Sequence, residues 1–424
     1  MASLSLFTPE SLEDNIISKD SQELLGLTIK SNCNNELNYI PIPPACNKEK
    51  EDCKPIECNP LGLNEINNIQ EPKLLGRGGM NAVIDITYDK DLPLALRLTT
   101  TDTDDIKEKE SVGLLYQTKL SKSIEEGGYG CPYIAKVYDF GDYTGNFNKN
   151  VEIEIEIENE IKKKKLKIPE KGVYGILEKL PMDLFERATT EGNIFTENDL
   201  KSMTKQLLMA LSCMHKNNIY HFDIKPENIM MCDDGNENVK LIDFGLCYTY
   251  DKDTYDENDP TNEVLTLRGT PDYFSPGVLF RADREMENIP CPIDDLWALA
   301  VTICLISFPT SLKRFTGKGI NKGTKMYIFN KDYEKKKKLS KMPESIRFCK
   351  RIFDTVTILS EDPINGGEMQ PTDETFFTLT AADLLKDPWF QEVKEVKGGK
   401  SKRKRKIKNK RKTKKRKSKR KRKN

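Results

Sequence analysis

The chain has 424 residues, 37% of them hydrophobic and 32% charged, long enough for two or three domains and a large core. Its formal charge of +1 hides a split: of 68 Lys and Arg, 19 lie in residues 400–424, leaving 49 against 67 acids, a net −18, in residues 1–399. Two histidines in all exclude imidazole-rich metal sites, and the longest apolar run, Leu296 to Phe308, is too short to span a bilayer.

Residues 1–68 mix Asn, Ser, Pro and acids without clear periodicity, which predicts a poorly ordered extension with one short helix around Ser11–Leu25. Cys33, Cys46, Cys53 and Cys58 cluster there, but at spacings that fit no standard zinc pair. The chain's eleven cysteines include no CxxC, and the start shows no secretory leader. Reduced thiols and an intracellular protein, cytoplasmic or nuclear, are the expectation.

From Leu74 the pattern turns strand-like. A glycine cluster, Gly76-Arg77-Gly78-Gly79, precedes a strand over Ala82–Ile86, and a second strand runs from Leu92 to Leu98. Ile106, Glu110, Leu114 and Leu115 then fit a helix. Residues 146–171 form an insert in which Val151–Glu158 alternates at period two and Ile161–Ile168 is lysine-rich. A hairpin turning at Asn159 and Glu160 would set acids opposite lysines; a solvated low-complexity loop is the other reading. In Thr196–His215, Leu200, Met203, Leu207, Leu211 and Met214 step by three and four behind a Thr196/Asp199 capping box, the pattern of a core-facing helix. Leu296–Ser307 reads as a buried helix and Thr380–Phe390 as a closing helix and stop. Beyond Gly398 and Gly399 the composition collapses to Lys and Arg.

The most informative stretch is His221-Phe222-Asp223-Ile224-Lys225-Pro226-Glu227-Asn228, with Asp243-Phe244-Gly245 following. Two acids, an amide and a lysine at these spacings suit phosphoryl transfer from a metal-bound nucleotide. The reaction needs a base for the attacking hydroxyl, oxygen ligands for the cation, and a positive charge for the moving phosphate.

These residues resemble the catalytic and magnesium loops of eukaryotic-type protein kinases, serine/threonine branch, and colinear motifs extend the resemblance over about residues 72–391. It implies a bilobal α+β fold, with a β-rich N-lobe over 69–180 and a helical C-lobe over 181–391, followed by a basic disordered tail, 392–424. It implies Mg-ATP, or Mn²⁺ in place of Mg²⁺, as cofactor and protein Ser/Thr hydroxyls as substrate. In its terms Asp223 accepts or orients the hydroxyl proton, Lys225 neutralises the γ-phosphate, Asn228 and Asp243 bind the cation, and Thr270 braces Asp223 and Lys225. Gly76, Gly78 and Gly79 cover phosphates, with Asn81 at the place of the third glycine, and Val83 and Ala95 belong to the nucleotide site. Leu177 would be the gatekeeper and Glu178 to Leu180 the backbone that reads adenine. Asp183 would meet the ribose hydroxyls or cap a helix. Asp295 of Asp295-Leu296-Trp297 would hold the catalytic loop backbone.

Three departures stand out. Arg97 occupies the place of the phosphate-gripping lysine, an exchange that is not conservative. Its partner is Glu110, with Glu108 as alternative, and Lys73 or Arg77 could supply a substitute cation. Phe222 replaces the arginine that receives an activation-segment phosphate, which predicts activity independent of such phosphorylation. Gly277 and Thr378 replace both halves of a buried ion pair, a double loss that can be nearly neutral. The Arg97 exchange leaves a pseudokinase or nucleotide-binding scaffold as the second reading. The tail adds a third, a nucleic-acid-binding protein, since 19 cations in 25 residues should bind DNA, RNA or an acidic protein face. Tail and Lys/Asn/Ile-rich composition also resemble proteins of large DNA viruses, which would add a virion to the locations.

Overall fold

The computed structural model describes residues 22–24, 27–31, 73–78, 80–86, 93–101, 103–124, 127–145, 152–157, 160–165, 168–190, 195–232, 238–249, 268–275, 278, 291–307, 342–358, 369–371 and 378–391. The four N-terminal cysteines, Gly79, Gly277 and the tail lie outside them. The chain divides into two units, Met1–Trp389 and Phe390–Asn424, and everything below concerns the first.

Its first layer is an antiparallel sheet of seven strands. They are β1 (Gln22–Leu24), β2 (Leu27–Ser31), β3 (Lys73–Arg77), β4 (Asn81–Asp85), β5 (Leu94–Thr99), β6 (Val137–Thr144) and, after an inserted hairpin, β9 (Lys171–Glu178). Their order is β1-β2-β6-β9-β5-β4-β3. Of the helix expected around Ser11–Leu25, Gln22–Leu24 is instead strand, and the rest lies outside the described residues; β1 pairs with β2, which pairs with β6 from Thr28 opposite Thr144 to Ser31 opposite Gly141. The β-branched Thr28 and Ile29 suit a strand. Helix α1 (Asp104–Ser121) packs against β6 and β9. Leu114, Leu115, Val137, Phe140 and Val173 form a buried cluster between them.

The insert is the hairpin that the alternation predicts. Strands β7 (Glu152–Ile157) and β8 (Glu160–Lys165) form a two-stranded sheet of their own. Glu152 pairs with Lys165, Glu154 with Lys163 and Ile157 with Glu160, so Glu160 belongs to the strand rather than to the expected turn.

The second lobe is helical. Short strand β10 (Met182–Asp183) leads into α2 (Leu184–Thr189) and α3 (Glu197–Lys216). The capping box closes as read: Thr196 N donates to Asp199 Oδ2 at 2.7 Å, and Asp199 N donates to Thr196 Oγ1 at 3.2 Å. Leu200, Met203, Leu207, Leu211 and Met214 are all buried. Small strands β11 (Ile219–Tyr220), β12 (Ile229–Met231), β13 (Val239–Leu241) and β14 (Tyr248–Thr249) carry the loops of the cleft. Helix α4 (Pro292–Ser307) is buried almost all round, against α3 and α5 (Pro343–Phe353), and Trp297 meets Phe353 edge-on at 4.7 Å. Strands β15 (Val356–Ile358) and β16 (Met369–Pro371) pair, and α6 (Ala381–Leu384) follows.

One cysteine expectation fails. Cys131, in the segment between α1 and β6, is disulfide-bonded to Cys213 on α3, 82 positions away, while Cys247 and Cys349 are free thiols. No sequence spacing announces such a pair, because tertiary packing alone brings the two Cα atoms to 5.5 Å. No described helix is long and apolar enough to cross a membrane.

Candidate active site

The cleft draws on segments of both the sheet and the helical part. On the sheet side, Gly78 N donates to Asn81 O at 2.8 Å and tightens the turn between β3 and β4. A Cβ on Gly76 would meet nothing within 4 Å, and one on Gly78 only the Asn81 carbonyl at 3.8 Å. Protein packing therefore does not demand these glycines; the open room over them fits a ligand lying against the backbone.

Arg97 on β5 is buried and reaches two carboxylates at once. Its Nε and Nη2 donate to Glu110 Oε1 and Oε2, the latter at 3.1 Å, and Nη2 also donates to Asp243 Oδ1 at 2.7 Å. Glu110, on the inner face of α1, is thus the partner; Glu108 is exposed. Lys73 and Arg77 are exposed on β3 and bond to neither carboxylate. Burial opposes charge on both members of the Arg97–Asp243 pair. Yet the two carboxylates hold Arg97 above the ordinary guanidinium value, and the guanidinium holds Asp243 below the usual carboxylate range.

Helix α1 sits directly on the Asp243-Phe244-Gly245 backbone. A Cβ on Gly113 would stand 2.6 Å from the Phe244 carbonyl oxygen, so only glycine permits this approach. Asp243 itself has φ +64°, a left-handed conformation that a non-glycine residue adopts only when its surroundings impose it.

On the helical side, Asp295 of α4 accepts from the backbone N of His221 and of Phe222, each at 2.9 Å, and from His215 Nε2 at 2.9 Å. Burial would raise its pKa, but these donors hold it below the usual range. The anchored loop presents Asp223, which accepts from Lys225 Nζ (2.6 Å) and Asn228 Nδ2 (2.9 Å) at Oδ2 and from Thr270 Oγ1 (2.6 Å) at Oδ1. Lys225 Nζ also donates to Thr270 Oγ1 at 2.9 Å. Thr270 is brought there by Gly269, φ +106°, where a Cβ would lie 2.2 Å from the Phe222 carbonyl oxygen. His221 contacts the Phe244 ring at 4.9 Å, and Phe222 is buried.

Asn228 Nδ2 is committed to Asp223, at O (2.8 Å) as well as Oδ2. That leaves Asn228 Oδ1 and Asp243 Oδ2 without a donor among the described residues. Two hard oxygens beside phosphate room suit a small divalent cation completed by phosphate and water. Among the described residues no cluster of three or more His, Cys, Asp or Glu could hold a metal by itself.

The hinge is only partly available. Leu177 lies opposite Ala95, and Val83 opposite Arg97, across the sheet. Glu178 N is taken by Lys136 O and Lys179 N by Pro93 O, both at 3.0 Å, which leaves Leu180 N as the backbone donor of this stretch. The Glu178 carboxylate turns to Lys240 Nζ at 2.5 Å. Asp183 is the N-cap of α2, Oδ1 accepting from Glu186 N at 2.7 Å, with a pKa raised by burial.

Three contributors had no assigned role in the sequence: Asn81, whose Nδ2 donates to Glu110 Oε2 at 3.0 Å, His215, and Ser275. The Ser275 hydroxyl donates to Asp294 Oδ1 on α4 and accepts from Val278 N at 3.1 Å, tying down the segment whose customary ion pair is missing. Of the three, only Asn81 carried a signal in the sequence, its place where the resemblance expects a third glycine.

A glycine hairpin, a buried cation–carboxylate pair and an anchored aspartate make up the candidate site. The protein kinase domain model matches residues 71–357, about two thirds of the chain, and the chain belongs to that family. It is 32% identical over 200 residues to calcium-dependent protein kinase 6 of Plasmodium berghei (strain Anka), and 27% identical over 224 residues to myosin light chain kinase 3 of Mus musculus. These alignments cover 47% and 52% of this chain but only 11% and 24% of the relatives. The autoinhibited serine kinase domain of the giant muscle protein titin superposes with a TM-score of 0.46 at 18% identity, over 77% of this chain and 81% of that one.

Proposed function

We propose that the chain is a serine/threonine protein kinase that transfers the ATP γ-phosphate to protein hydroxyls with Mg²⁺. The observation that carries this reading is the Asp223 environment: a carboxylate fixed by a lysine, a threonine and an amide, opposite Arg97 bound to Glu110 and Asp243. Lys225-Pro226-Glu227 supports the serine/threonine branch. Asp223 would orient the attacking hydroxyl and take its proton as the oxygen–phosphorus bond forms and the bond to the departing diphosphate breaks. Lys225 stands beside it as the cation for the transferred group. Asn228 and Asp243 would hold the cation, whose chemistry is to neutralise phosphate charge.

Arg97, the main argument for a scaffold without catalysis, reaches both carboxylates and so supports the catalytic reading instead. The tail is proposed as a separate binding element for polyanions. In a phosphotransfer assay, Asp223→Ala is expected to cut the rate by about 10²–10⁴-fold while calorimetry shows Mg-ATP still bound. Activity unchanged by this substitution would place the catalysis in another protein.

A further inference from the structure

We propose that Asn81 is a positioning residue that latches the glycine-rich hairpin to helix α1 through Glu110; this rests on reading the cleft as a nucleotide site. Asn81 begins β4, where the backbone is already pinned: its carbonyl accepts from Gly78 N at 2.8 Å, and the Met80 carbonyl accepts from Thr100 N at 2.7 Å. The side chain turns inward and is 8% exposed. Its Nδ2 donates to Glu110 Oε2 at 3.0 Å, the oxygen that Arg97 Nη2 reaches at 3.1 Å, while Oε1 takes Arg97 Nε. Glu110 is therefore held by donors from two strands.

The amide can face only one way. Reversed, it would set Oδ1 against the carboxylate, two acceptors in contact. As placed, Oδ1 has no partner among the described residues, so the bond to Glu110 is the one polar contact that accounts for burying this side chain. A glycine at this position would leave the hairpin unattached to α1. With Asn81, the cover over the phosphates and the helix that aims Glu110 at Arg97 shift together, and the hairpin is set for nucleotide only when α1 is seated.

Hydrogen exchange on the full-length chain without nucleotide reads the latch directly. Asn81→Ala should raise exchange in residues 104–121 and in the β3–β4 hairpin together, and calorimetry should show Mg-ATP bound about tenfold more weakly. Asn81→Asp has the same size but opposes a second carboxylate to Glu110, so it should weaken binding more than Asn81→Ala. Combining Asn81→Asp with Glu110→Gln re-forms an amide–carboxylate pair and should recover part of that loss. Equal effects of the two single substitutions with no recovery in the pair, or exchange unchanged in α1, would overturn the latch. A wild-type chain that binds no Mg-ATP would overturn the kinase reading instead, and the exchange comparison would still decide on Asn81.

Discussion

Arg97 makes three charge-assisted contacts from one planar group, and their geometry sets what lysine could do in its place. Lysine offers a single ammonium on a flexible stem, able to bond one oxygen of Glu110 and of Asp243 but not to repeat the planar two-point fork on Glu110. Arg97→Lys is therefore expected to raise KM for ATP about tenfold, and Arg97→Met to cost about 100-fold, since two carboxylates then face each other without a cation between them. Steady-state kinetics at varied ATP checks both. A lysine variant faster than wild type would mean that arginine here is a damaged lysine rather than a fitted residue. At this scale the catalytic string was legible because Asp223, Lys225 and Asn228 lie within six positions. The Asn81–Glu110 bond was not, because its partners stand 29 positions apart and only the fold joins them.

Among elements, α1 governs the cleft because one of its positions carries no side chain. Alanine at 113 would favour the isolated helix by roughly 0.5–1 kcal/mol, but its Cβ would press on backbone atoms of Phe244 and Gly245 at 2.6–2.8 Å, and backbone cannot rotate out of the way. The helix must then lift, carrying Glu110 from Arg97. Gly113→Ala is expected to lower the melting temperature and cut phosphotransfer at least tenfold, about 1.4 kcal/mol of barrier; a more stable, fully active variant would show that α1 does not rest on this backbone. Elements with strong periodicity, such as α3 with its capping box, could be read from sequence to within a residue or two. Strands β1 and β2 could not, because three- and five-residue strands hold too few positions to show a period and are selected by the open edge of β6.

The whole molecule is a charge separated along one chain, −18 over residues 1–399 and +19 over the last 25. The two could attract each other, or the tail could bind an outside polyanion, and salt separates the outcomes. Each phosphate contact with duplex DNA adds about −0.9 to the slope of log affinity against log salt, so six to ten contacts lose roughly 10³–10⁵ in affinity between 50 and 200 mM. The full chain should show that loss with a random-sequence duplex, and the chain ended at Gly399 should not bind the duplex measurably. Phosphotransfer to a peptide, whose residues lie in 72–391, should survive the truncation. If truncation instead raises phosphotransfer at low salt and adding salt removes the difference, the tail's ligand is the acidic body of its own chain. If duplex affinity is the same with and without residues 400–424, the tail is not the polyanion site.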